Sequence, residues 1–441
     1  MTELEILALL MVGAFSGLLM IGIPVGLTLA ATGFIFGYLG FGATLFNLLP
    51  ARIFGVVTNY TLLAIPLFVF MGVMLEKSRL AEDLMDVLAI ATGGLRGGMG
   101  LAIILVGVLM GASTGIVGAT VVTLGLLTLP TLIRRGYSKS LASGTICASG
   151  TLGQIIPPSL VLILLADITA QSVGTLFAAA LLPGLMLAGI YCIYMVGIGL
   201  LWPEMAPAAS EEELTSLTRR ELWQRIFKVV LPPLALVFAV LGSIIGGVAA
   251  PTEAASIGAL GSLLMAAAVG RLNPKVLRET LQVTVRITAT VLFILICAQV
   301  FALAFRGLRG EQLVHDLFAF LPGGIAADIW FMMLLIFVLG FFIEWIEISY
   351  IAVPLFLPIF NAAGVDLVWL CTMICLNLQT SFLTPPFGWA LFFLRGVAPP
   401  EVRTADIYLG IIPFVFMQLL ALVTLFLQPP IATWLPAALG W

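Results

Sequence analysis

The sequence predicts an all-α polytopic membrane protein built as an inverted repeat, with two re-entrant helical hairpins and two broken helices. Three observations carry this. Hydrophobic residues make up 61% of the 441 positions and charged ones 9%, where a soluble fold would carry about a quarter charged residues. Apolar runs of the length that crosses a bilayer, about 20 residues, recur along the chain. The chain also resembles itself in punctuation at an offset near 228.

Apolar runs between charged or Pro/Gly punctuation give spans near 5 to 21, 24 to 42, 55 to 75, 141 to 165, 176 to 202, 229 to 248, 254 to 270, 287 to 305, 367 to 394 and 407 to 428. The first run has no basic leader and reads as a retained helix, not a signal peptide. Two stretches, 97 to 133 and 325 to 360, are each long enough for two helices. Each has small or polar residues at its middle and no charged loop there: Gly111 to Thr114 in one, Gly340 to Glu344 in the other. Both read as hairpins that dip into the membrane and return. Their tips point at a buried site, because unpaired backbone at that depth is tolerated only inside protein or beside water.

Lys/Arg clusters set the orientation. Arg134, Arg135 and Lys139, then Arg219, Arg220, Arg225 and Lys228, then Arg271, Lys275 and Arg278, then Arg395 and Arg403 fall on one face by span counting. That face is expected to be cytoplasmic. Residues 203–228 form the one long polar segment, either an amphipathic connector that docks or a solvated linker. They divide the chain into a first repeat, 1–202, and a second, 229–441.

Pro130 and Pro157 are 157 − 130 = 27 residues apart, Pro358 and Pro385 are 385 − 358 = 27 apart, and both intervals end in a Pro-Pro pair. Gly136 and Gly364 each follow the first anchor by six residues, and Pro24 and Pro251 repeat the offset, 251 − 24 = 227. With the connector cytoplasmic, the first hairpin enters from the cytoplasm and the second from the periplasm. Inverted halves with broken helices are a recurring design for secondary transport.

After each hairpin comes a span crowded with helix breakers: Gly150, Thr151, Gly153, Pro157, Pro158 and Ser159, then Gln379, Thr380, Ser381, Thr384, Pro385, Pro386 and Gly388. Proline lacks an N–H and clashes with the preceding turn, so each pair releases carbonyls from the helical ladder. Those carbonyls, with hydroxyls of Ser113, Thr114, Thr151, Thr380 and Thr384, suit sodium, while half-helix N-termini suit a carboxylate. The alternative is that the breaks only kink two helices. Substrate is expected against Ala112, Gly150, Thr151, Ser159, Glu344, Gln379, Thr380 and Gly388. No arginine stands out as a clamp for it.

Glu253, Glu344 and Glu347 read as buried acids, and intramembrane carboxylates are functional hypotheses by default. Glu344 either relays protons, or caps the hairpin or pairs with Arg306 or Arg309. His315, the one histidine, lies near Glu311 and Asp316 without companions for a metal or catalytic role. Cys147, Cys192, Cys297, Cys371 and Cys375 sit singly in apolar runs and read as packing residues. Trp202, Trp330, Trp369, Trp434 and Trp441 fall near span ends, as interfacial anchors do. No basic stripe offers a nucleic-acid surface.

LLAIPLFVFMGVML (62 to 75), GASTGIVGA (111 to 119), ASGTLGQIIPPS (148 to 159), GVAAPTEAASIG (247 to 258) and NLQTSFLTPPFG (377 to 388) together resemble the large, DctM-like M subunit of TRAP (tripartite ATP-independent periplasmic) transporters. The resemblance covers nearly the whole chain. It implies a sodium-driven elevator carrier of the ion-transporter-superfamily type, set in the bacterial inner membrane as a multi-pass protein. Its partners would be a soluble periplasmic binding protein that delivers a small organic acid and a small four-helix Q subunit encoded separately. At least two Na+ sites follow from it: Ser113, Thr114, Gly153, Ile156 and Pro158 at the first hairpin, and Gly340, Ser381, Thr384 and Phe387 at the second. The sequence departs from the family pattern at GAST, at Ser381 where glycine is frequent, and at Glu344 where aspartate is usual. A stand-alone divalent-anion symporter driven by sodium or protons is the alternative within transport. A channel would lack gradient-driven accumulation, and a membrane enzyme would need a nucleophile-base pair or metal cluster.

Overall fold

Backbone N–H and C=O groups in hydrocarbon have no water to bond, so a spanning segment must satisfy them internally. The computed structural model describes residues 2–114, 117–209 and 218–441, the side chains of Ser113, Thr114 and Arg219 excepted. Among these residues every regular element is a helix, and eight helical stretches are long and apolar enough to cross a membrane.

Helix α1 (Glu3–Met20) starts with a capping box in which Thr2 and Glu5 satisfy each other's backbone N–H. It is followed by α2 (Val25–Phe41), α3 (Thr44–Val57), α4 (Ala64–Lys77) and α5 (Leu80–Thr92). The span expected at 55 to 75 is the helical stretch Tyr60–Lys77, and the first residues of the expected range belong to the end of α3 and the turn that follows it. Asn59 accepts the N–H of Thr61 at 2.9 Å, which starts a new helical turn at Tyr60 just past the end of α3.

The first hairpin is α6 (Gly98–Thr114) and α7 (Val117–Arg134), and the first interrupted helix is α8 (Lys139–Thr151) and α9 (Leu160–Thr169). A long span, α10 (Val173–Leu201), closes the first half. Within the connector, α11 (Arg219–Val229) is a helix packed on α5. Residues Glu211 to Glu213, the acidic part, lie outside the described residues.

In the second half come α12 (Leu231–Ile245), α13 (Pro251–Ala268) and α14 (Pro274–Gly307), then a short α15 (Gly310–Ala319). The span expected at 287 to 305 starts 13 residues earlier (287 − 274 = 13), because Asn273 caps Val276 N at 2.9 Å and Pro274 occupies the first helical position. The second hairpin is α16 (Gly324–Leu339) and α17 (Trp345–Ala362), and the second interrupted helix is α18 (Leu367–Leu383) and α19 (Trp389–Val397). The chain closes with α20 (Thr404–Leu427) and α21 (Pro430–Ala438).

The helices pack in two groups. One contains α1 to α4 with α12 to α14; the other gathers both hairpins and both interrupted helices, with α10 and α20. Small residues let backbones approach where apolar contraction by water is absent. On α2, a Cβ added at Gly33 would lie 2.9 Å from Phe301 N of α14. Where α8 crosses α20, a Cβ at Gly144 would lie 2.0 Å from Gly410 O.

Polar bonds tie together segments distant in sequence. Lys139 Nζ donates to Glu401 O at 2.8 Å, and Arg271 grips Asp83 at 2.7 and 3.0 Å while also donating to Ser78 O. The first bond joins two of the basic clusters used to orient the chain, the one at Lys139 and the one of Arg395 and Arg403, while the second ties the Arg271 cluster to Ser78 and α5.

Candidate site at the hairpin tips

Each interrupted helix breaks at its Pro-Pro pair. In α8–α9 a single 3-10 turn, Leu152–Gln154, follows Thr151 before Pro157 and Pro158, and in α18–α19 Thr384 turns to extended backbone before Pro385 and Pro386. Pro157–Pro158 and Pro385–Pro386 are cis bonds.

The tips seat on the breaks in matching ways. A Cβ on Gly111 would lie 2.6 Å from Gly153 Cα, and a Cβ on Gly340 would lie 2.1 Å from Ser381 Oγ. The two contacts are related by nearly the same offset, 340 − 111 = 229 and 381 − 153 = 228. The breaks also touch one another, since Gln379 Nε2 donates to Thr151 Oγ1 at 3.3 Å, residues 228 apart.

Hydroxyls around the breaks share one pattern. Thr151 donates to Ala148 O, Thr380 to Leu376 O, Ser381 to Leu378 O and Thr384 to Thr380 O, all at 2.8–2.9 Å. A hydroxyl whose proton is held by a carbonyl offers only lone pairs to a further partner. Such an oxygen suits a hard cation. Nearby, Ser149 Oγ, both polar atoms of the Gln154 amide and Gln379 Oε1 are buried without a partner among the described residues.

Between the two tips lies a cavity of about 280 Å3, bordered by Val117 and Gly118 of the first hairpin, Glu344, Trp345 and Ile346 of the second, Leu160, Phe382 and Phe393 of the interrupted helices, and Arg286 and Thr290 of α14. A larger cavity of about 660 Å3 between α1, α15 and α17 is walled almost wholly by apolar side chains such as Phe301, Phe305 and Leu355. It has no cation to receive a carboxylate, so the smaller cavity is the better candidate.

Of the residues expected to meet substrate, Glu344 borders this cavity. Ala112, Gly150, Thr151, Ser159, Gln379 and Thr380 are buried behind it in helix contacts, Gly150 against Val121 and Ser159 donating to Gln154 O. Gly388 opens α19 in a left-handed conformation, φ 51°. Among the sodium candidates, Gly153, Ile156 and Pro158 are buried beside the first tip, and Phe387 lies 5.9 Å from Phe342 of the second tip, ring centre to ring centre. The side chains of Ser113 and Thr114 lie outside the described residues.

The acids separate. Glu253 is exposed and accepts Ala250 N at 2.9 Å, so it caps α13 and is not a buried charge. Glu347 is 2% exposed, and its Oε2 has no partner among the described residues. Glu344 makes no side-chain cap bond at the start of α17, and Arg306 pairs with Glu311 at 2.9 Å. Trp369 is buried, with Nε1 donating to Leu425 O at 2.9 Å, and is a packing residue instead of an interfacial anchor.

Arg286 is the functional candidate that sequence reasoning missed. Its signal was present as one cation in VTVRITATV, but the apolar-run reading began the span at 287, one residue later.

Residues 12–431 match the family described as the DctM component of the tripartite ATP-independent periplasmic transporter. Curated relatives agree along nearly their whole length. The chain is 31% identical to the C4-dicarboxylate TRAP transporter large permease DctM of Pseudomonas aeruginosa, covering 89% of this chain and 90% of that protein. It is 30% identical to the ectoine TRAP transporter large permease TeaC of Halomonas elongata, covering 97% and 98%, and 29% identical to the sialic acid large permease SiaM of Vibrio cholerae, covering 93% and 95%. In fold it is similar to the YdaH transporter of Alcanivorax borkumensis, with a TM-score of 0.66 at 16% identity over 96% of this chain and 98% of that one. The chain is therefore a multi-pass membrane transport protein, not an enzyme, and it belongs to the DctM family of TRAP transporter large permeases.

Proposed function

We propose that this chain carries a small organic anion across the bacterial inner membrane together with sodium, receiving it from a periplasmic binding protein and working beside a small four-helix membrane subunit. One observation carries the reading: hairpin tips seat on broken helices twice, at positions about 228 apart, around a polar belt of hydroxyls and of amide atoms that have no partner among the described residues. Two related half-sites of opposite orientation are what alternating access needs. In this reading Ser113, Thr114, Gly153, Ile156 and Pro158 form one sodium site, and Gly340, Ser381, Thr384 and Phe387 the other.

The two helix groups divide the work. The group of α1 to α4 and α12 to α14 stays fixed, and the hairpins with their interrupted helices travel as one body, an elevator motion. Relatives named for C4-dicarboxylates, ectoine and sialic acid support a small polar organic acid as cargo.

The test is uptake of an organic-acid panel into proteoliposomes holding the chain, the small subunit and the binding protein, with a sodium, proton or no gradient. Accumulation is expected only with inward sodium, with Thr384→Ala raising the sodium concentration needed by about tenfold, equivalent to about 1.4 kcal/mol. Proton-driven accumulation abolished by Glu344→Gln would instead make the coupling ion a proton.

A further inference from the structure

Two opposite charges border one cavity without meeting. Arg286 of α14 and Glu344 at the turn before α17 both line the 280 Å3 space, and among the described residues neither side chain joins a hydrogen bond or ion pair. Arg286 stands 286 − 278 = 8 residues beyond Arg278, about 12 Å further along the helix, past the polar start of α14. Its backbone carbonyl is already used by Thr290 Oγ1 at 2.9 Å, while its guanidinium remains open to a ligand. Trp345, Phe382 and Phe393 complete an apolar wall around the two charges.

Arg286 is exposed at the rim of this cavity and Glu344 is half-buried in it, so a ligand can reach both, and charges within membrane segments are functional candidates by default. A guanidinium matches a carboxylate in two parallel hydrogen bonds. A carboxylate facing the same space accepts from an ammonium, amidinium or hydroxyl and repels a second carboxylate. The cavity is at the small end for ligand sites.

We infer that Arg286 receives the carboxylate of the cargo and Glu344 receives a hydrogen-bond donor at its other end, so that this permease selects monocarboxylates bearing such a donor and disfavours dicarboxylates. The inference rests on the reading of the cavity as the anion site of a sodium-coupled carrier. It separates this chain from the relatives named for C4-dicarboxylates and places specificity in the membrane subunit as well as in the binding protein.

Calorimetric binding to the purified full chain in sodium buffer tests it, with ectoine (an amidinium monocarboxylate), N-acetylneuraminate (a hydroxylated monocarboxylate) and succinate as probes. At least one monocarboxylate is expected to bind at least tenfold more tightly than succinate. Arg286→Gln should weaken that binding more than tenfold and Arg286→Lys less, while Glu344→Gln narrows the preference over succinate to under threefold. Monodisperse elution and an unchanged melting temperature establish that each variant is folded.

Equal or tighter binding of succinate by the unaltered chain overturns the inference, as does binding of none of the probes or a preference unchanged in Glu344→Gln. Undiminished affinity in Arg286→Gln also overturns it, and would assign the arginine to a lipid headgroup. If sodium-driven succinate uptake accompanies any of these results, the carrier reading stands and the selectivity inference alone fails. Absence of sodium-driven uptake of any organic acid removes both.

Discussion

A methyl group at position 340 has nowhere to go, because it would sit 2.1 Å from Ser381 Oγ. Gly340→Ala must push the second tip off its break, and overpacking of this kind costs about 1–3 kcal/mol. Uptake is expected to fall at least tenfold, and Ser381→Gly in the same chain should restore the melting temperature by removing the obstructing side chain, while uptake stays reduced because the Ser381 hydroxyl is lost. At the first tip the obstruction is backbone, Gly153 Cα at 2.6 Å, so Gly111→Ala should be equally damaging and no substitution at 153 should rescue it. Comparing uptake and melting temperature of the two single variants and the double variant checks both statements. Residues of this kind were half legible in the sequence. The Pro-Pro pairs and Glu344 stand out because breakers and charges are rare in apolar runs. Glu253 misled because its neighbours are apolar, although a carboxylate three residues into a helix reaches back to cap it. Arg286 was passed over because a lone cation at the edge of an apolar run looks like the end of a span, and only the tertiary fold turns it toward the cavity.

Helix α5 was not anticipated as an element, since its 13 residues are too few to cross a bilayer and carry Glu82, Asp83 and Asp86. Its neighbours give it a place: α11 packs on one side, and Arg271 binds Asp83 in a two-pronged bond. Asp83→Asn should lower stability by about 1 kcal/mol, read as a drop in melting temperature. Asp86 responds in the opposite sense. Burial, and then the Asp83 carboxylate, raise it above the ordinary 3.8, with Arg225 partly offsetting. The folded protein therefore keeps a proton there at pH values where the unfolded chain has released it. That contribution is complete below 3.8 and is lost as pH rises through the folded value. Asp86→Asn removes the loss, so its melting temperature relative to the unaltered protein should rise from acid pH toward pH 7. A difference that is flat with pH would show that Asp86 does not titrate differently on folding. The same logic of neighbours explains the start of the segment leading into α4 and the early start of α14. Their polar or proline-bearing turns interrupt apolar counting, whereas caps at Asn59 and Asn273 decide where the helices begin.

At the scale of the molecule, one polar chain crosses between the two helix groups. Asn59, at the start of the helical segment leading into α4, donates to Asp167 of α9, whose other oxygen accepts from Tyr350 of α17 at 2.7 Å. If the hairpins and broken helices move as one body, the Asp167–Tyr350 bond travels with them and the Asn59 bond must open. A net hydrogen bond contributes about 1 kcal/mol, so Asn59→Ala should shift the population away from this conformation about fivefold. Tyr350→Phe should disturb it less, a contrast that distance measurements between spin labels on α4 and α9 can resolve. Small and polar residues at the middle of two long apolar stretches, and Pro-Pro pairs within apolar runs, made the paired helices and the breaks legible, because such residues act on their own backbone. What moves against what depends on contacts between segments far apart in sequence, which spacing does not encode. The central claim is that the cavity between the tips faces each side of the membrane in turn. It is tested most directly by placing a cysteine at Ile346, in a chain whose five native cysteines have been replaced, and applying a membrane-impermeant thiol reagent from each side. Labelling from either face, with sodium and cargo changing the ratio between them, is the predicted result; labelling from one face alone under every condition would contradict the account.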